Sequence, residues 1–149
     1  MRCTNVTFVD TNVLLYAAST VPEEAGKTST ARALLERSDL VLSVQVLQEF
    51  YVQATRITRG DRLSHDQAAS LIESWLRFTV QELTVPLMQA AVNSAARYRT
   101  SYWDAAIIEA ARSAGCRTVL SEDLADGRDY DGVRIENPFR TAAPTAPVS

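Results

Sequence analysis

The chain has 149 residues, which is long enough for one domain with a buried core. Its hydrophobic content of 46% and charged content of 22% are ordinary for a globular protein and exclude wholesale disorder. The formal net charge of −3 argues against a surface that grips nucleic acid through many phosphates, but not against a nuclease that binds phosphate locally through a metal ion.

Strand and helix patterns alternate along the first half of the chain. The apolar periodicity predicts a strand at Val6–Val9, a helix from Pro22 to Arg37, a strand at Leu40–Ser43 and a helix from Val44 to Thr58. Asp10-Thr11-Asn12 has the composition of a turn and cap that ends the first strand. The apolar face of the last helix in this half is expected to extend to Ile57.

The same alternation continues in the second half. The pattern predicts a helix from Ser64 to Phe78, a weaker strand at Thr79–Val85, a helix from Pro86 to Tyr98, a helix from Ser101 to Gly115, and strands at Arg117–Leu120 and Gly132–Ile135. Strands that alternate with helices favour an α/β fold, with a central parallel sheet of about five strands covered on both faces. Residues 1–140 are expected to form one domain, and the Ala-, Pro- and Thr-rich residues 141–149 a disordered tail.

Cysteine usage and hydropathy favour a cytoplasmic protein. Cys3 and Cys116 fit neither a disulfide framework nor a zinc site. A disulfide between them is conceivable, but in a reducing cytoplasm we expect two free thiols. No apolar run approaches the roughly 20 residues of a membrane helix, and the first residues lack the pattern of a signal peptide. We therefore expect a cytoplasmic location and no membrane partner.

Four acidic residues fall near the predicted ends of strands. Asp10 directly follows the first strand, and Asp123 follows the strand at 117–120 by a few residues. Asp104 lies in the first turn of the helix that leads into that strand, and Glu49 in the second turn of the helix after the second strand. Because sites in open α/β sheets form beyond the carboxyl ends of strands, these acids can gather at one edge of the sheet.

Each acid also has a simple structural explanation. Asp10 could cap a helix, Asp104 could complete a capping box with Ser101, Asp123 could belong to a turn, and Glu49 could be a solvated helix residue. Together, however, crowded carboxylates repel one another and must take up protons or share a cation. Mg²⁺ and Mn²⁺ prefer such oxygen ligands and can activate water for attack on phosphorus. The pattern therefore favours metal-dependent phosphoester chemistry.

Five segments of the chain, in this order, resemble the PIN-domain family and in particular its VapC-type ribonuclease toxins. The segments are Phe8–Leu14, Gln48–Phe50, Ser101–Ala105, Leu120–Leu124 and Ile135–Phe139. The resemblance covers the chain apart from the C-terminal tail. It implies a three-layer α/β/α sandwich and an endoribonuclease that depends on Mg²⁺ or Mn²⁺.

The resemblance also implies roles for individual residues and partners. Asp10, Asp104 and Asp123 would be metal ligands, directly or through water, and Glu49 would be a ligand or would orient the attacking water. Asn12 and Ser121 would be supporting polar neighbours. The protein would be a homodimer silenced by a small VapB-type antitoxin that covers the acidic site. Its substrate would be RNA in single-stranded or loop regions of tRNA, rRNA or mRNA.

Two other functional classes remain open at this point. An aspartyl-nucleophile phosphatase or phosphotransferase could use Asp10 after the first strand. The haloacid-dehalogenase pattern would want a second acid where the chain has Asn12, and both that pattern and a response-regulator receiver want a late lysine, whereas Lys27 is the only lysine. A non-catalytic module could instead use the acidic patch to hold a structural metal or a basic partner.

Overall fold

The computed structural model describes residues 5–140 as a mixed α/β domain with a central six-stranded sheet flanked by helices. In chain order the elements are β1 (Thr7–Val9), α1 (Thr11–Ala18), a 3₁₀ turn (Pro22–Glu24), α2 (Ala25–Leu34), β2 (Leu40–Ser43), α3 (Val44–Ala54), α4 (His65–Trp75), β3 (Thr79–Gln81), α5 (Val85–Tyr98), α6 (Tyr102–Ser113), β4 (Thr118–Leu120), β5 (Asp129–Tyr130) and β6 (Val133–Glu136). The α/β class with a mostly parallel sheet is confirmed.

The sheet has the strand order β3-β2-β1-β4-β6-β5, and all neighbours are parallel except β5 and β6. The chain moves outward from β1 through β2 to β3 and then returns to add β4 on the other side of β1. Strand order therefore reverses between β1 and β4, which is where α/β sheets form their sites. Val9 lies opposite Leu120, and the Asp10 amide donates to the Leu120 carbonyl at 3.0 Å. This register brings the residues after both strands to the same edge.

The core lies between the sheet and two groups of helices. α1 packs against α2 and α3, α3 packs against α4, and α5 packs against α6. β1 and β2 are buried along their whole length, as expected for central parallel strands. α6 is buried from Ala105 to Ala111, so this helix is held firmly over the sheet.

A helix, α1, follows Asp10, where the sequence predicts a turn and cap but no separate helix. Asp10 is the N-cap of α1, and its carboxylate accepts a hydrogen bond from the Thr11 amide. The polar Asp-Thr-Asn start resembles a turn, but the apolar residues behind it bury Val13, Leu14 and Ala17 against the core. Burial of these side chains against the core therefore stabilises a helix that is only about two turns long.

A short antiparallel strand, β5, adds a sixth strand to the five predicted. It joins β6 through Asp131 and Gly132, which both have left-handed φ angles of 52° and 99°. An Asp-Gly pair is the residue combination that a tight hairpin turn of this kind requires. The prediction that the last strand begins at Gly132 is therefore wrong, since Gly132 forms the turn and β6 begins at Val133.

Several helices and strands end earlier in the structure than their apolar sequence patterns predict. α3 stops at Ala54, where the Leu63 amide donates to the Ala54 carbonyl as the loop folds back. Ile57 consequently lies in that loop and is 78% exposed, against the prediction. The helix predicted from Pro22 to Arg37 is divided into a 3₁₀ turn and α2, and β3 ends at Gln81 before α5 begins.

Two predictions concern residues outside the described range. Cys3 lies there, as does the expected tail at 141–149. The other cysteine, Cys116, is buried, and burial raises the pKa of its thiol to about 11. No helix within residues 5–140 is long and apolar enough to cross a membrane.

Candidate active site

The four predicted acids line a single cleft at the carboxyl edge of the sheet. The cleft has a volume of about 380 Å³. Asp10 follows β1, Glu49 projects from α3, Asp104 from the first turn of α6, and Asp123 from the loop after β4. The fold therefore brings all four carboxylates together from distant parts of the chain.

Asp10 lies at the bottom of this arrangement and is only 7% exposed. Its Oδ1 accepts from the Thr11 amide at 2.7 Å, and its Oδ2 accepts from the Ser121 hydroxyl at 2.8 Å. Burial raises the pKa of Asp10 to about 6, the two hydrogen bonds oppose that shift, and the charges of Asp123 and Glu49 add to it. The ionised form of Asp10 is therefore costly at neutral pH unless a cation is nearby.

Ser121 and Asn12, the predicted supporting residues, connect α1 to the loop after β4. Ser121 is fully buried, and its hydroxyl oxygen accepts from the amides of Asp123 and Leu124 at 3.1 and 3.2 Å. The Asn12 amide nitrogen donates to the Ser121 hydroxyl at 3.2 Å and to Asp123 Oδ2 at 3.4 Å. These bonds fix the position of Asp123 relative to Asp10.

Glu49 is held by two residues that sequence reasoning did not select. Thr11 donates its hydroxyl to Glu49 Oε1 at 2.8 Å, and Gln45 donates its amide to Oε2 at 3.2 Å. Gln45 precedes Glu49 by four residues and therefore lies on the same helix face. In the sequence, only this four-residue spacing and the position of Thr11 directly after Asp10 could have indicated that the two residues contact Glu49.

The Asp104 carboxylate is free of the capping role that its sequence suggests. Ser101 caps α6, since its hydroxyl accepts from the Asp104 amide at 3.1 Å. Within residues 5–140 the Asp104 carboxylate does not return a bond to the Ser101 amide, and its one side-chain hydrogen bond is donated by the Thr100 hydroxyl at 3.5 Å. Only half of the capping box is present, and the carboxylate faces the cleft.

Two basic side chains near the cleft, Lys27 and Arg59, are paired with acids other than the four predicted ones. Lys27 forms an ion pair with Glu122, which also accepts from the Tyr16 hydroxyl at 2.6 Å. Arg59 pairs with Asp61 at 2.9 Å. Among the residues that the structure describes, none of the four predicted acids forms an ion pair. The bonds from Lys27 and Tyr16 give Glu122 a structural role beside the cleft.

The PIN domain family profile matches residues 7–125, which include all four acids. The chain belongs to the PIN-domain family. The family resemblance drawn from the sequence is thereby confirmed. No curated protein matches the chain in sequence.

Solved structures of similar proteins agree with this PIN-domain fold. VapC20 of Mycobacterium tuberculosis, a sarcin-ricin loop cleaving toxin, has a TM-score of 0.63 and 21% identity, over 78% of this chain and 89% of that one. A toxin–antitoxin complex from Klebsiella pneumoniae has a TM-score of 0.65 and 17% identity, over 89% and 98%. DNA-bound VapBC from Salmonella typhimurium has a TM-score of 0.61 and 22% identity, over 90% and 98%. At these identities the likeness establishes the fold.

The donor set of this PIN domain fits a hard divalent cation. Among the described residues, the polar lining of the cleft supplies carboxylate, amide and hydroxyl oxygens and includes no Cys or His, which suits Mg²⁺ or Mn²⁺ and suits zinc poorly. Within residues 5–140, no three acidic, His or Cys side chains converge into a ready-made metal cage. This is compatible with Mg²⁺, because that ion usually takes one or two protein carboxylates and completes its shell with water and phosphate oxygens.

Proposed function

We propose that this PIN-domain protein is a Mg²⁺- or Mn²⁺-dependent endoribonuclease and the toxin of a VapBC-type toxin–antitoxin pair. The observation that carries the proposal is the set of four carboxylates in one cleft with no ion-pair partner among residues 5–140. Such a concentration of unpaired negative charge favours a divalent cation, and the raised pKa of Asp10 has the same cause in part.

Each residue has a defined part in this proposal. Asp10, Asp104 and Asp123 hold the metal directly or through water, and Glu49 is a ligand or orients the attacking water. A bound divalent ion would supply activation of water and neutralise charge on the scissile phosphate. Thr11 and Gln45 fix the orientation of Glu49 through their hydrogen bonds.

Asn12 and Ser121 act as positioning residues. Asn12 and the Ser121 hydroxyl contact both Asp10 and Asp123, directly or through each other, so they set the separation of these two carboxylates. The domain that carries this site is proposed to span residues 1–140 as one unit.

The names of similar structures support the choice of substrate and partner. VapC20 is described as cleaving the sarcin-ricin loop, and the Klebsiella and Salmonella structures are toxin–antitoxin complexes. We infer an RNA substrate with unpaired or loop segments, in tRNA, rRNA or mRNA. We also infer a homodimer and a VapB-type antitoxin that covers the cleft and offers a basic side chain to the acids.

The aspartyl-nucleophile alternative is not favoured by the contacts of this chain. The position two residues after Asp10 is Asn12, whose amide is engaged with Ser121 and Asp123. Lys27 is paired with Glu122 and does not contact Asp10. A non-catalytic binding module has no such obstacle, and a cleavage experiment separates it from a nuclease.

The first test is the Asp10→Asn variant. Total RNA is incubated with purified protein and Mg²⁺ or Mn²⁺, and new 5′ ends are mapped. The wild-type protein should cut at discrete unpaired sites, EDTA should stop the cutting, and Asp10→Asn should reduce the rate by at least about 100-fold, because loss of a metal ligand should cost no less than loss of an outer partner.

The matched control is Asp66→Asn, which removes an exposed acid in the first turn of α4, outside the cleft. It should cut like the wild type, and circular dichroism should give the same spectrum for all three proteins. Absence of any metal-dependent cutting by the wild type, or full activity of Asp10→Asn, would contradict the proposal.

A further inference from the structure

A second groove adjoins the acidic cleft, between α3 and the start of α6. Its volume is about 350 Å³. Gln45, Glu49, Gln53 and Trp103 line both the groove and the cleft, so the two form one continuous surface. The groove is completed by Gln48, Val52 and Arg56 on α3 and just beyond it.

Trp103 is the main apolar surface of this groove. Its side chain is 62% exposed, whereas the protein's other tryptophan, Trp75, is 4% exposed in the core. The indole is steadied by an edge contact with the Tyr102 ring, with centroids 4.9 Å apart, and the Trp103 carbonyl accepts from Gln45 at 3.5 Å. Val52, which is 57% exposed, lines the same groove. A large aromatic ring held in place but left open to solvent is available for stacking.

The polar groups around Trp103 offer both hydrogen-bonding directions and positive charge. Gln48 and Gln53 are exposed, and each amide can donate and accept. Arg56 is exposed and forms no ion pair within residues 5–140. A planar aromatic surface, amides at its rim and a guanidinium group are the components that recognise an unpaired nucleobase and its phosphate.

We propose that the groove at Trp103 binds an unpaired nucleobase of the RNA, next to the phosphate that enters the acidic cleft. The base stacks on the indole, Gln48 and Gln53 contact its edge, and Arg56 contacts the neighbouring phosphate. This inference rests on the proposed ribonuclease function and adds a determinant of substrate choice to it. Because Gln45 and Glu49 line both cavities, a base in the groove lies beside the carboxylates that would act on its backbone.

The two tryptophans give a direct readout of stacking. Asp10→Asn protein is titrated with a fluorescein-labelled 12-nucleotide RNA of randomised sequence in Mg²⁺, and indole fluorescence and RNA anisotropy are followed together. Stacking should quench the emission of exposed Trp103. The Trp103→Phe variant keeps an aromatic ring and only buried Trp75, so it should bind the RNA while losing the quenching.

Trp103→Leu keeps an apolar side chain but no stacking surface. It should weaken RNA binding by at least about five-fold, since a stacked base is worth that much or more. In the cleaving protein it should raise KM more than it lowers kcat. Val92→Ala removes another exposed apolar side chain, which lines neither cavity, and should change neither value.

Two results would overturn the groove proposal while leaving the nuclease proposal intact. One is wild-type RNA cleavage with no quenching at Trp103 and an unchanged KM for Trp103→Leu. The other is weaker binding of the cognate antitoxin by Trp103→Leu with unchanged RNA parameters, which would identify the groove as a protein-docking surface. Absence of RNA cleavage by the wild-type protein would overturn both proposals.

Discussion

Asp10 serves the fold and the site in ways that oppose each other. As the N-cap of α1 it accepts a hydrogen bond from the Thr11 amide, a role that an ionised carboxylate performs well. Its burial beside Asp123 and Glu49 makes the same ionised form unfavourable. Titratable groups perturbed in this way are characteristic of functional sites, which retain charge at the expense of stability.

This conflict predicts a pH-dependent effect of Asp10→Asn on the stability of metal-free protein. The ordinary pKa of the Asp10 carboxyl is 3.8 and its folded pKa is about 6, so the folded state holds this proton more tightly than the unfolded state. The stabilisation that the folded protein gains from holding this proton is fully present below pH 4 and is lost as the pH rises through 6. At pH 7.5, Asp10→Asn should therefore be more stable than the wild type by about 1–2 kcal/mol.

Calorimetry in EDTA at pH 4, 5, 6 and 7.5 measures this difference. The gain of the variant over the wild type should shrink as the pH falls from 7.5 to 4. A gain that is constant across this range, or a loss at pH 7.5, would mean that the Asp10 carboxylate is not destabilised in the folded protein.

The acids could be predicted from the sequence more readily than their partners. Asp10 and Asp123 follow strands, and the position after a parallel strand is informative without knowledge of side-chain packing. The hydrogen bonds of Thr11 and Gln45 to Glu49 join α1 and α3 to the site, and no local pattern specifies which polar side chains meet across helices. The exposure of Trp103 is also a tertiary property, because an aromatic residue beside a buried helix face would ordinarily be assigned to the core.

At the scale of elements, local sequence signals predicted where helices start better than where they end. Ser43, Ser64 and Ser101 each accept a hydrogen bond from the third residue of the helix that follows, and capping residues are visible in the sequence. The end of α3 depends on the loop bond to Ala54, which is not local information. The two residues of β5 are too few for any periodicity, and only the Asp-Gly turn marked them.

The ion pair between Glu109 and Arg112 lies where α6 packs against α5, and we expect it to contribute to stability. Glu109 is buried on α6, accepts from Ser94 on α5 at 2.5 Å, and pairs with Arg112 at 3.1 Å. Arg112 also donates to the carbonyls of Tyr130 and Asp131 at 2.8 and 2.9 Å, which ties α6 to the β5–β6 turn. Arg112→Met should therefore lower the free energy of unfolding by about 2–4 kcal/mol, because it leaves Glu109 buried without its cation.

Arg97→Met is the matched control for this prediction. Arg97 pairs with Asp131 at 2.5 Å, but both side chains are largely exposed, and such pairs contribute about 0–1 kcal/mol. Urea unfolding of both variants gives the comparison. Equal losses for the two variants would show that burial of Glu109 does not determine the contribution of Arg112.

At the scale of the whole molecule, the strand order brings residues from distant parts of the chain together at the site. Because β1 lies between β2 and β4, the residues that follow these strands meet at one edge although they are far apart in sequence. Asp10 and Asp123 are separated by nearly the full length of the domain. A cation that binds carboxylates of both segments therefore binds only the folded chain, and its binding free energy is added to the stability of the fold.

Mg²⁺ or Mn²⁺ should accordingly raise the melting temperature of the wild-type protein. At a metal concentration ten times Kd the gain is about 1.4 kcal/mol, which corresponds to a rise of roughly 3–6 °C for a domain of this size. Asp10→Asn should start from a higher melting temperature without metal and respond weakly, because it lacks both the repulsion and a ligand. The difference between the melting temperatures of the two proteins should then shrink, or change sign, as metal is added. Calorimetric titration from EDTA to 10 mM metal at pH 7.5 tests this, and parallel curves for the two proteins would mean that Asp10 takes no part in metal binding.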